Sequence, residues 1–101
     1  MTIDKLAAAD CRNMTEVRDG VDSIDRQIVA LLAERFGYME AAARIKQERH
    51  LVRDEVRKAE VIAKVRGHAE AANIPADVVA RLYDQLIEAS IAYEYERFDA
   101  R

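Results

Sequence analysis

Arg35 stands where an apolar side chain belongs. From residue 17 the chain places Val17, Val21, Ile24, Ile28, Leu31, Arg35, Tyr38, Ala42 and Ile45 in alternating steps of three and four, the signature of one helical face. Lys46 follows Arg35 by 11 residues, about 20° around a helix and about 16 Å along it, so both cations point the same way. Two long side chains leaning together can bracket a small anion. The ordinary alternative is that each lays its methylene stem on apolar surface and keeps its charge in water. Arg18 precedes Arg35 by 17 residues, or about 25 Å, too far to share a pocket within one chain. If two such helices pack antiparallel, Arg18 of one approaches the Arg35 region of the other.

A second polar interruption lies near the end of the chain. A stripe through Leu82 or Tyr83 and Leu86 or Ile87 continues into Ser90 and Glu94. Ser90 can bond back to its own helix, and Glu94 can be a surface carboxylate beside Arg97. The functional alternative is a buried Glu94 facing Arg35 or Lys46. Arg57 and Lys58 sit close behind Asp54 at the start of another helix, where cations oppose the dipole unless they meet an anion or are neutralised by Asp54 and Glu55. His50 and His68 are isolated and have no metal-ligand spacing. No nucleophile motif, phosphate loop or dinucleotide fingerprint is present. Chemistry at these residues would need neither metal, cofactor nor covalent intermediate.

Three helices must position these groups. The first begins near Asn13, where Glu16 falls three residues after a candidate N-cap, and no proline interrupts residues 13–50. About 35 residues make a rod of about 50 Å. A 100-residue domain has a radius of gyration of only about 13 Å, so a striped rod of that length needs a second chain to cover it, most simply in a symmetric homodimer. A second helix is expected from Asp54 to about Ala72. A third opens at Pro75 and runs to about Phe98. Residues 1–12 have weak periodicity and are expected to form a flexible arm, leaving 13–101 as the helical domain.

Composition agrees with an all-α fold of one long and two shorter helices. The chain has 101 residues with only three Gly, one Pro and no Trp, too few turn formers for an all-β protein. Sixteen basic and 19 acidic residues give a net charge of −3, which argues against a nucleic-acid partner. No apolar run approaches the length of a membrane span, and the N-terminus does not read as a secretory signal. The single cysteine, Cys11, makes a reducing cytoplasm the simplest setting.

Taken together, these residues resemble the type II chorismate mutases. Arg18 with Ile24-Asp25, then Leu31-Leu32-Ala33-Glu34-Arg35, then Ala43-Arg44-Ile45-Lys46 resemble that family's first helix. Arg53-Asp54 followed by Arg57 resembles the start of its second, and the run from Leu82 to Ser90 resembles its third. The likeness spans about residues 13–98 and implies an intertwined three-helix homodimer. It also implies rearrangement of chorismate, a small dicarboxylate, to prephenate without a cofactor. By position, Arg35 and the partner chain's Arg18 would grip the two carboxylates with forked hydrogen bonds. Lys46 would reach the ether oxygen and a carboxylate, Ser90 the ring carboxylate side, and Asp54 the substrate hydroxyl. Arg57 would support substrate or order its loop, and Glu94 would face the ether oxygen.

Three departures bear on the reaction. Glu94 stands where many members carry Gln, and a glutamate donates a hydrogen bond only when protonated, so activity is expected to rise as pH falls. Lys58 stands where several mutases have Glu. The Lys46-to-Arg57 gap is one residue shorter than in those members, and this gap and the run from Gly37 to Lys46 look more like the isochorismate-pyruvate lyases of this fold, which form salicylate and pyruvate. Mutase is the leading expectation and lyase the alternative. A third possibility, a non-catalytic helical dimer, would place Arg35, Lys46 and Glu94 towards solvent.

Overall fold

The computed structural model describes residues 6–101. Among them the elements are three α-helices and two short 3-10 turns, with no strand. Helix α1 covers Met14–Ile45, α2 covers Glu55–Ala71 and α3 covers Ala76–Asp99. The chain divides into two units, one ending at Arg35 and the other comprising Phe36–Arg101.

In the first unit, the described part of the expected arm forms a 3-10 turn at Ala8–Asp10, and residues 1–5 of that arm lie outside the described residues. Asn13 caps α1 as its position predicts: its Oδ1 accepts the Glu16 N–H at 3.0 Å. Glu16 in turn reaches back to the Arg12 N–H at 2.8 Å, one residue earlier than in the usual reciprocal box. The apolar stripe exists but is not a core of the single chain. Val17, Val21, Ile24, Ile28 and Leu31 are all exposed, by 37% to 62%.

The second unit holds the buried residues. Val52, Ile87 and Ile91 form its centre, with Val61, Ile62, Tyr95 and Phe98 packed against them. Helices α2 and α3 run antiparallel, since Lys58 pairs with Asp84 and Glu88 at one end of the hairpin and Arg66 with Asp77 at the other. Asp54 caps α2, its carboxylate accepting the Arg57 N–H at 3.0 Å. At the far end Asn73 adopts φ 60°, while Ile74 N–H bonds Ala69 O and Asn73 N–H bonds Glu70 O. That pair of bonds around a left-handed residue is the Schellman stop, and Pro75 then starts α3 as its cap residue.

The first helix ends at Ile45, the last position of its apolar periodicity, after 32 residues, slightly fewer than expected. Lys46 N–H still bonds Ala42 O at 2.9 Å, but the carbonyls of Ala43 and Lys46 are taken by the Arg101 guanidinium. Glu48 is already extended. A second 3-10 turn, Arg49–Leu51, leads to Val52.

The α2 stop can be tested directly. Asn73→Val is expected to destabilise by about 1–2 kcal/mol, because a branched side chain resists the left-handed region, whereas Asn73→Gly should stay within a few tenths. Chemical denaturation of both variants checks this, and equal losses would refute the assignment.

Candidate active site

Two of the residues singled out in the sequence meet inside the second unit. Glu94 on α3 is 4% exposed, one turn beyond Ile91 and Ser90, so the apolar stripe of α3 carries its carboxylate into the interior. Lys46, just past the end of α1, brings its Nζ to 2.8 Å from Glu94 Oε2. The same ammonium donates to Val52 O at 3.3 Å. Its approach to Oε2 lies off the hydrogen-bonding direction, and that buried oxygen has no hydrogen-bond donor among the described residues. A buried carboxylate with one close cation and an unused lone pair is costly as plain architecture.

The elements hold this pair from several directions. The Tyr93 hydroxyl donates to Glu40 Oε2, and the Phe36 and Tyr93 rings meet edge to face at 4.9 Å. Both contacts tie the last turns of α1 to α3. Hydrogen bonding to Glu40 also pushes the Tyr93 hydroxyl above its ordinary pKa. Ser90 is buried at 3% exposure and donates to Leu86 O at 2.7 Å, the back-bond open to it from the sequence. Beyond the pair, Arg49 lies over the Tyr95 ring at 4.4 Å and makes a two-pronged contact with Asp99 at 2.9 and 3.2 Å.

At the start of α2 the candidates are placed differently. Asp54 is exposed and committed to capping. Arg57 is exposed, with its guanidinium 3.5 Å from Glu60, so in this structure it meets a carboxylate of its own helix. Lys58 does not face Glu94; its ammonium sits 2.9 Å from Asp84 and 2.7 Å from Glu88. Arg53 closes the cluster, with Nη2 at 2.6 Å from Glu88 Oε1. Arg35 and Arg18 belong to the first unit, where Arg35 is half-buried and Arg18 is exposed. Thus Glu94 is buried and Lys46 and Arg35 are partly so, rather than turned to solvent as a bare scaffold would have them.

A sequence profile of chorismate mutase type II matches residues 17–95. The chain belongs to the type II chorismate mutase family. An isochorismate pyruvate lyase of Pseudomonas aeruginosa is 31% identical to it over 83 residues, 82% of each chain. The matched span contains Arg18, Arg35, Lys46, Ser90 and Glu94 together, so the family likeness covers both polar interruptions. No helix among the described residues is long and apolar enough to cross a membrane.

Sequence reasoning in this mutase-family chain missed the groups that fix the site's frame. Arg101, Arg49 with Asp99, and Tyr93 with Glu40 carry no motif. One signal was available for Lys58: Asp84 and Glu88 lie four residues apart on α3 and share a helical face, ready to receive a cation.

The Glu88 cluster sets an acid limit on the hairpin. Hydrogen bonds from Arg53 and then Lys58 lower the Glu88 carboxyl from 4.5 to about 2. Its contribution is therefore complete above the unfolded value near 4.5 and is lost as pH falls through about 2. Thermal midpoints of the wild type should fall across that window. In Glu88→Gln the midpoint should start a few degrees lower at neutral pH and fall less. Parallel profiles for the two proteins would remove Glu88 from the account.

Proposed function

We propose that this protein is a chorismate mutase that rearranges chorismate to prephenate. The observation that carries the reading is the buried Glu94 carboxylate held 2.8 Å from the Lys46 ammonium. A pericyclic shift requires a dicarboxylate held in a compact shape and stabilisation of charge developing at the ether oxygen. Lys46 supplies a positive donor for that oxygen, and a protonated Glu94 supplies a second. An ionised Glu94 instead neutralises Lys46 and offers the oxygen only lone pairs. Arg35 and the partner chain's Arg18 take the carboxylates, Ser90 borders the ring carboxylate, and Asp54 and Arg57 border the loop side. The single cysteine fits a cytoplasmic enzyme.

The shared site requires a homodimer. That assembly is supported by the exposed stripe from Val17 to Leu31, continued by Tyr38 at 73% and Ile45 at 63% exposure. So much apolar surface along one helical face is ordinarily covered by another chain.

A second reading has its own support. The relative from Pseudomonas aeruginosa is an isochorismate pyruvate lyase. Lys58, engaged by Asp84 and Glu88, leaves the site without the glutamate that several mutases have at that position. On this reading the same cations grip isochorismate, and pyruvate is eliminated to leave salicylate.

Incubating the protein separately with chorismate and isochorismate distinguishes the two, since prephenate is expected from the first and salicylate from the second. If neither substrate is consumed, both readings fail. Glu94→Gln, which keeps an N–H donor at that position, should keep activity at neutral pH, whereas Glu94→Ala should lose about tenfold or more. Turnover unchanged in both variants would remove Glu94 from the chemistry.

Mixing inactive Arg18→Ala and Arg35→Ala chains tests sharing across subunits. Each heterodimer should regain one intact site of two. Absence of recovery, with subunit exchange verified, argues against a shared site.

A further inference from the structure

We infer that Arg101 is a positioning residue for Lys46, acting through the backbone of the first helix's last turn. The inference rests on the role given above to Lys46. Helix α1 ends at Ile45, and the final carbonyls of any helix lack partners within it. Here two of them are satisfied from a distant point in the sequence. Arg101 Nη1 donates to Ala43 O at 2.9 Å and to Lys46 O at 2.6 Å. The guanidinium is itself stacked 3.9 Å above the Phe98 ring, and the Arg101 N–H bonds Phe98 O at 3.2 Å. Phe98 belongs to the packed centre around Val52, Ile87 and Ile91. The cap is therefore anchored to the same core that buries Glu94.

Geometry gives the cap a specific consequence. One of its two acceptors is the carbonyl of Lys46, the residue whose Nζ must stay 2.8 Å from Glu94 Oε2 and 3.3 Å from Val52 O. A flexible side chain keeps such a position only if its backbone is held. A planar, permanently charged guanidinium suits this task, because it can serve two carbonyls while stacked on an aromatic face and it complements the negative end of the helix dipole. Arg49, clipped to Asp99 and laid over Tyr95, holds the following turn against the same end of α3. The end of α3 thus clasps the α1–α2 connection on both sides of Lys46.

The experiment compares wild type, Arg101→Ala and Arg101→Lys by amide hydrogen exchange, thermal unfolding and turnover of whichever substrate the wild type consumes. Arg101→Ala should keep the fold and a melting midpoint within a few degrees. Exchange should accelerate at the amides of Ile45 and Lys46 and not through α2. Turnover should drop by about tenfold, as expected for a displaced catalytic group. Arg101→Lys, which retains a cation able to serve one carbonyl, should recover part of both the protection and the rate.

Unchanged exchange at Ile45 and Lys46 in Arg101→Ala overturns the inference. So does acceleration spread evenly over α2 and α3, which would make Arg101 a general brace, or locally faster exchange with undiminished turnover. If the wild type consumes neither substrate, the functional reading fails on its own, and local exchange still decides whether Arg101 holds Lys46.

Discussion

A carboxylate removed from water must find compensation, and in this chain most of the second unit is arranged around that need. Glu94 sits on the buried face of α3, and Lys46, from the end of α1, is the cation that meets it. The two residues come from opposite ends of the unit's sequence, so their encounter requires that α1 stop near Ile45, that the following turn bring Val52 into the core, and that α3 pack beneath. A hydrophobic pair of similar volume would serve stability as well or better. An ion pair stands there instead, with one carboxylate oxygen lacking a hydrogen-bond donor among the described residues.

The surrounding charges have a different character. Arg53, Lys58, Asp84 and Glu88 lie at the rim of the α2–α3 hairpin, partly in water, where ion pairs contribute modestly. Their value is geometric. They fix the start of α2, and with it the Asp54 cap and the side from which Arg57 projects. Lys58 is engaged in this cluster through Asp84 and Glu88. The cluster also explains how a chain with a small core of Val52, Ile87 and Ile91 keeps two helices in register.

The first unit shows the complementary situation, apolar surface without burial. Its helical face repeats Val17, Val21, Ile24, Ile28 and Leu31, all exposed in the single chain. Apolar surface repeated along one helical face is ordinarily covered by other protein surface. The family likeness, extending from residue 17 to residue 95, includes both the face and the pair.

How much of this is legible in the amino-acid sequence depends on the range of the interaction involved. The three helices, the Asn13 and Asp54 caps and the stop before Pro75 were legible, because each follows from residues within one or two turns of one another. The interruptions at Arg35, Ser90 and Glu94 were legible as breaks in a periodic pattern, and their proposed roles come from the resemblance alone. What remained open was which cation Glu94 meets, what holds the last turn of α1, and what occupies Lys58. Those answers depend on Lys46, Arg101, Asp84 and Glu88, each brought to its partner from 26 to 58 residues away. The local elements and the unusual placement of charge follow from residue order alone. Which charges pair follows from the folded chain, because contacts across such separations are set by how helices pack and not by the spacing along any one of them.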